Sequence, residues 1–424
     1  MSSRRRLWEH AGGRMIPYGL ARFLNATGPY LLQGIIMKWA GSQEAGRFYL
    51  IASAAIFIFL VADLGATIAF PVLFGSNRGR ENPLLADILL LRLVASLSGV
   101  VLFALFCGLG FFGLRLSPEV LLVAFYVVGR NDLASRQGFL HARQEFGLLV
   151  TGAGWHMAGC IAGFAAMSVL YGLSALTGIT ALFSGVGAEW LALRWWSGQA
   201  FAEASVHPPG SVVGKGLAGA FRQMLPYSLA GLAGALYSRS DALIGSWFLS
   251  HDEMGIYGTL DAAFRLAHAP SNLSAQAAYP SLNAAREAGD RKSYVAIIRA
   301  HLMVAGFFAL VAVAAGLAWA RSAALTPATG KAMLFFLLAV PIACPNSLVV
   351  PHYFPQGLER VSAAVATIAA GTRPLSGALL VHLCGMPGLA VNYFLLDLVQ
   401  MMIYWFFLPF WFPEWYRFKN RGIS

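Results

Sequence analysis

Apolar stretches of about 20 residues recur from one end of the chain to the other, each long enough to cross a hydrocarbon core about 30 Å thick. Short segments carrying most of the charge separate them. The stretches show no alternation of period two, which argues against an outer-membrane barrel. A backbone inside lipid must satisfy its own hydrogen bonds, so these stretches are expected to be helices. The pattern predicts helices near 15–37, 47–72, 87–112, 118–140, 147–170, 174–196, 217–246, 255–282, 294–319, 331–353, 361–382 and 388–411.

The longest polar stretch, 197–214, contains Pro208, Pro209 and Gly210 and reads as a cytoplasmic linker. It divides the chain into an N-terminal six-helix lobe (1–196) and a C-terminal six-helix lobe (215–424). The halves are related in sequence. MIPYGLA at 15–21 matches MLPYSLA at 224–230, which places Pro17 and Pro226 209 residues apart. The same offset pairs Glu44 with Glu253, Gly46 with Gly255, Phe48 with Tyr257, Leu64 with Leu273 and Pro71 with Pro280. Six helices per half is an even number, so both halves enter from the same side. The expected fold is therefore an all-α polytopic membrane protein of about twelve transmembrane helices, its two lobes related by a pseudo-twofold along the membrane normal. Such an architecture suits a transporter; a duplicated scaffold without transport is the alternative.

Composition agrees. Hydrophobic residues make up 58% of the 424-residue chain and charged residues only 12%, about half the charged share of a soluble domain. The net charge of +11 would suit nucleic acid or acidic lipid, and its distribution decides between them. With the N-terminus in the cytoplasm, cytoplasmic segments hold 19 of the 30 Lys and Arg residues. The other side holds Lys38, Arg47, Arg115, Arg321 and Lys331. This asymmetry is the positive-inside signal. The charge is thus mostly topological, and both termini are expected in the cytoplasm. No clear cleavage site follows Arg4, Arg5 and Arg6, so the first helix is expected to be retained. Cys107, Cys160, Cys344 and Cys384 are scattered without a CxxC pair, which signals neither a metal nor a redox site.

Six arginines fall inside the predicted helices: Arg22, Arg92, Arg130, Arg239, Arg265 and Arg373. Intramembrane arginine is costly and normally faces a bundle interior or a wet cavity. Arg130, Arg265 and Arg373 sit roughly 16–18 Å from a predicted helix start, near the midplane. Arg92 lies close enough to the cytoplasmic edge to snorkel. Acidic residues are nearby: Asp63 in the second helix, Asp241 two residues from Arg239, and Asp261 four residues before Arg265 on the face that also carries His268. Two readings stand. Each arginine pairs with a carboxylate and only specifies packing, or several line a cationic cavity for a phosphate- or carboxylate-bearing substrate. Basic residues outnumber acidic ones in the inner parts of the predicted helices, which favours the second. Pro270, Pro341, Pro345 and Pro351 are hinges or static kinks with equal claim.

Catalytic signatures are missing. There is no GxxxxGK[ST] loop, so no ATPase of the chain's own, and no HExxH or GxSxG motif. The chain is read as a non-enzyme without a cofactor.

Several segments resemble polysaccharide flippases of the Wzx type. GSQEAGRFYLIASAAIFIFLVADLGA (41–66) is similar to that family's first-to-second helix region, with an acidic residue and Gly closing a short outer loop and an Asp-Leu-Gly in the second helix. RSDALIGSWFLSHDEMGIYGTLDAAFRL (239–266) resembles its seventh-to-eighth helix signature, and YPSLNAAREAGD (279–290) the segment that follows. The resemblance implies the superfamily that also holds MATE antiporters and lipid II flippases. It implies a bacterial inner-membrane protein moving an undecaprenyl-pyrophosphate-linked oligosaccharide to the periplasmic leaflet by alternating access, for O-antigen or exopolysaccharide synthesis beside a polysaccharide polymerase complex. It carries function onto Asp63, Arg239, Asp241 and Arg265; Arg22, Arg130 and Arg373 rest on depth. Asp63, Asp241 and Asp261 become candidates for coupling to H+ or Na+. The two extra helices typical of lipid II flippases are absent. A MATE-like drug or metabolite antiporter is the alternative, and it should show acidic residues dominating its cavity.

Overall fold

The computed structural model describes residues 20–21, 23–25, 27–67, 69, 84–109, 118–142, 145–205, 216–322, 325–348 and 359–407. Residues 27–39 are helical. Among the described residues eleven α-helices follow: α1 (Ser42–Ala62), α2 (Leu84–Gly108), α3 (Pro118–Ala142), α4 (Phe146–Tyr171), α5 (Ala175–Ser205), α6 (Gly216–Phe248), α7 (His251–Glu287), α8 (Arg291–Ser322), α9 (Pro327–Asn346), α10 (Glu359–Cys384) and α11 (Met386–Met402). A short π-helical turn, Ile403–Phe407, extends the last. The described residues contain no strand. Eight of the helices carry spans long and apolar enough to cross a membrane. The chain is thus an all-α polytopic membrane protein, as the hydrophobic pattern predicts.

Boundaries differ from the expected ones for local reasons. The stretch predicted as 47–72 starts at Ser42 and stops at Ala62, because Leu64 (φ 50°) and Gly65 (φ 70°) turn the chain. Gly65 is obligatory there: a Cβ would overlap the carbonyl of Tyr227 on α6. Ser228 secures the turn, its Oγ donating to the Leu64 carbonyl at 2.9 Å. The stretch predicted to end at 196 runs on to Ser205, so the first part of the expected linker is helical. The start of α9 has a complete cap, with Thr326 Oγ1 accepting from Thr329 N at 3.2 Å and Pro327 in the first turn. Pro341 and Pro345 lie inside α9; Pro17 and Pro351 lie outside the described residues.

Packing divides the chain into two compact units at Gly258–Thr259, within α7. Leu20–Gly258 form one, which thereby includes α6. Its helices meet through small residues. A Cβ on Gly159 of α4 would lie 2.6 Å from the Ser184 carbonyl, and one on Gly163 2.5 Å from Ser184 Oγ. This is the close approach that membrane helices use in place of a hydrophobic drive. At the starts of α1 and α7, a Cβ on Gly46 would overlap the His251 carbonyl, and one on Gly255 would overlap the Ser42 carbonyl. Ser42 and His251 are themselves 209 residues apart, as are Gly46 and Gly255. The contact is therefore reciprocal, in the form that twofold symmetry imposes. The repeated glutamates have diverged. Glu44 accepts from Ala175 N at 2.8 Å, whereas Glu253 caps its own helix by accepting from Ser250 N at 2.9 Å.

The second unit holds Thr259 onward. Here α9 packs on α11, and α10 turns into α11 at Gly385 (φ 63°). A Cβ on Gly388 would overlap the Leu380 carbonyl, so the α10–α11 pair is held backbone to backbone. The outer faces of α8 and α10 stay apolar and exposed, with Met303, Leu310 and Leu375 each at least two-thirds uncovered. Such faces are suited to lipid.

Candidate functional site

In the first unit, Arg130 of α3 and Glu189 of α5 sit at comparable heights, roughly 18 and 21 Å along their helices. Glu189 is fully buried and organises its surroundings. Its Oε1 accepts from Asn25 Nδ2 at 3.1 Å and Gln137 Nε2 at 2.5 Å. Its Oε2 lies 3.5 Å from Arg130 Nη1 and 3.2 Å from His156 Nδ1. Arg130 also stands over the Phe59 ring, 5.9 Å from its centroid. Tyr126, one helical turn before Arg130, is within electrostatic reach of Arg130, Arg239 and Glu189 together. Arg239 of α6 thus shares this neighbourhood. It is only 8% exposed, and no carboxylate or hydrogen-bond acceptor meets its guanidinium among the described residues. Asp241 does not serve it; its Oδ2 accepts from Tyr257 Oη at 3.2 Å. Arg239 is thus a buried guanidinium without a counter-charge among the described residues, and such a group calls for a ligand or a specific role.

A second polar cluster lies nearby in the same unit. Asp63 forms an ion pair with Arg92 of α2, which also donates to Ser135 Oγ. Asp63 Oδ2 accepts from Thr67 N at 3.0 Å. Arg92 does not snorkel: it is 2% exposed, because Asp63 and the polar face of α3 receive it inside the unit.

In the second unit, Asp261 and Arg265 form a two-bond pair along α7, at 2.9 and 2.8 Å. Tyr393 of α11 lies within electrostatic reach of both, and of Arg373 and Asp397. Arg373 of α10 is fully buried and stacks on Tyr393, 4.0 Å from the ring centroid. Phe264 closes the group, packing edge-on against Tyr393 at 4.8 Å. On the next turns of α7, His268 Nε2 contacts the Ala343 carbonyl at 2.9 Å and its Nδ1 meets Asn272 Nδ2 at 3.0 Å.

The expected site residues thus fall into groups. Arg130 and Arg239 both lie within electrostatic reach of Tyr126 in one unit, and Arg265, Asp261 and Arg373 within reach of Tyr393 in the other. Asp63 stands apart with Arg92, and Asp241 with Tyr257. Arg22 lies outside the described residues. Two residues were missed, Glu189 and Asp397. They reduce the expected surplus of intramembrane charge: among the described residues five buried carboxylates (Asp63, Glu189, Asp241, Asp261, Asp397) stand beside five arginines (Arg92, Arg130, Arg239, Arg265, Arg373). The signal for Glu189 was present in the chain, as a carboxylate in an apolar run at the height of Arg130. Among the described residues no group of His, Cys, Asp and Glu is arranged to hold a metal ion.

No family model and no curated protein matches the sequence. Solved structures match along nearly its whole length. The eukaryotic MATE transporter AtDTX14 aligns with a TM-score of 0.65 at 12% identity, over 95% of this chain and 96% of that one. The lipid II flippase MurJ, in an inward closed conformation, gives 0.66 at 16% identity, over 93% and 87%. The MATE multidrug transporter DinF-BH, solved with R6G, gives 0.65 at 17%, over 94% of both chains. The chain has the fold of MATE transporters and of the lipid II flippase MurJ. At these identities the likeness establishes the fold and does not extend to a substrate.

Proposed function

We propose that this chain is a flippase that carries an undecaprenyl-pyrophosphate-linked oligosaccharide from the cytoplasmic to the periplasmic leaflet of a bacterial inner membrane. The observation that carries this reading is Arg239, buried within electrostatic reach of Tyr126 and without an acceptor among the described residues. An anionic headgroup supplies the missing counter-charge, and arginine binds phosphate oxygens with two parallel hydrogen bonds. A polar glycan cannot cross hydrocarbon unaided, and alternating access around a cationic cavity would shelter it while the prenyl tail stays in lipid. A gradient of H+ or Na+ is the energy source in this reading, and the product passes to a polysaccharide polymerase. Asp63 and Asp261 are engaged by arginines, and Asp241 by Tyr257. As coupling residues they act by exchanging those partners for an ion.

One observation favours the antiporter reading: Glu189 sits at the centre of the first cluster with four polar neighbours. Such a carboxylate suits a cationic solute or a coupling ion. The deciding experiment extracts lipids from cells lacking the protein and scores undecaprenyl-pyrophosphate glycans by leaflet. Cytoplasmic accumulation that wild type reverses and Arg239→Ala does not is the expected result. An unchanged glycolipid pool with altered drug sensitivity transfers the assignment to antiport.

A further inference from the structure

A cavity of about 260 Å³ opens between α2 and α3. Its lining changes character from mouth to floor. Leu90 and Leu93 at the mouth are about half exposed on the apolar face of α2. Arg92, Asn131, Asp132 and Ser135 line the inside. Leu90 lies roughly 9 Å from the first residue of α2, and Ser135 roughly 10 Å from the last residue of α3. Both helices have 25 residues, about 37 Å of length against a hydrocarbon core of about 30 Å. The cavity therefore sits a few ångströms inside one hydrocarbon boundary, within reach of a lipid headgroup.

The floor holds acceptors that lack donors. Asn131 is buried; its Nδ2 donates to the Arg92 carbonyl at 3.0 Å and to Ser96 Oγ. That fixes the amide orientation and leaves Oδ1 with no hydrogen-bond donor. Asp132 takes Arg136 Nε at 2.9 Å and Trp190 Nε1 at 2.6 Å, both on Oδ2. Its side chain remains 41% exposed, and Oδ1 receives nothing from the described residues. An unmatched acceptor next to hydrocarbon is costly, because water is scarce there. The formal charges nearby already balance: Arg92 against Asp63 and Arg136 against Asp132.

We infer that this crevice binds a membrane lipid of the phosphatidylethanolamine type. Its primary ammonium would donate to Asp132 Oδ1, with an acyl chain against Leu90 and Leu93. An ammonium carries several donors on one atom. A zwitterionic head leaves the local charge balance intact, which an anionic head would not. The crevice is lined by neither Arg239 nor Glu189.

The test is native mass spectrometry of the full-length protein in detergent, titrated separately with dioleoyl phosphatidylethanolamine, phosphatidylcholine and phosphatidylglycerol. The ethanolamine lipid is expected to bind about tenfold tighter than its N-trimethylated counterpart, which has no N–H to donate. Leu93→Trp, which fills the mouth without touching the polar floor, is expected to reduce ethanolamine binding to the choline level. Leu90→Trp gives the same reading if Leu93→Trp fails to fold. Asp132→Asn is expected to weaken ethanolamine binding while leaving choline binding unchanged. Equal affinity for the ethanolamine and choline lipids, preference for phosphatidylglycerol, or binding that survives both tryptophan variants overturns the assignment.

Discussion

Replacing Glu189 by Gln removes one charge and almost no volume, so its cost isolates the electrostatics of the first cluster. Glu189 is fully buried and meets Asn25, Gln137, Arg130 and His156. Breaking a buried ion pair from one side typically costs about 3–5 kcal/mol, most of it the penalty of the charge left behind. Arg130 retains 16% exposure of its side chain and the face of Phe59, so it recovers part of that penalty. The expected destabilisation is about 3 kcal/mol, roughly a hundredfold in the unfolding equilibrium. The reverse change, Arg130→Gln, should cost less, because Glu189 keeps the Asn25 and Gln137 donors that face Oε1. The double variant should be less destabilised than the two single changes added together, by about 1 kcal/mol or more. Unfolding by sodium dodecyl sulfate in mixed micelles, followed by circular dichroism, measures all three. A loss below about 1 kcal/mol for Glu189→Gln, or a larger loss for Arg130→Gln, would refute the account of Glu189 as organiser of the cluster.

Arg239→Met should raise stability by about 1 kcal/mol, since it removes a buried charge without a counter-charge, while abolishing transport of an anionic headgroup in proteoliposomes. Loss of both stability and transport would mean that Arg239 is structural. Tyr393→Leu removes the ring on which Arg373 stacks and should cost about 1–2 kcal/mol in the same denaturation assay; an unchanged midpoint would discount the cation–π contact. Cys384 is exposed at the end of α10, whereas Cys107, Cys160 and Cys344 are buried. The topology expected from the charge asymmetry places it on the outer side, so a membrane-impermeant maleimide added to intact spheroplasts should label the wild type and not Cys384→Ser. Labelling only after permeabilisation would invert the topology.

The helices were legible because lipid demands long apolar runs, and most of the described residues in each of the twelve predicted stretches are helical. Their ends were less legible because tertiary contacts set them. The stop at Ala62 depends on Tyr227 and Ser228, more than 160 residues away in the chain. Arginines were legible as sites because each is anomalous in hydrocarbon. Their partners were not, with one exception. Asp261 and Arg265 are one turn apart on a single helix, so spacing alone joins them. Arg92 with Asp63, Arg130 with Glu189 and Arg373 with Tyr393 join different helices, and periodicity carries no information about which helices are neighbours. The hydrophobic pattern thus pointed to Asp63, Asp241 and Asp261 near the arginines but not to Glu189 and Asp397. Among the described residues Arg239 is the arginine of this set that meets no carboxylate, hydrogen-bond acceptor or ring.

The reciprocal seat of Gly46 and Gly255 has a consequence for variation. Each glycine rests on a main-chain carbonyl, so what is excluded there is any β-carbon, polar or apolar. In a saturation library scored by expression, positions 46 and 255 should stand out as two columns with no tolerated replacement, although neither residue takes part in chemistry. A compensating change at one cannot rescue a substitution at the other, because glycine already has the smallest side chain. Two codons at equivalent positions of the two related halves are thus held by a single clearance and can drift only toward loss of the protein.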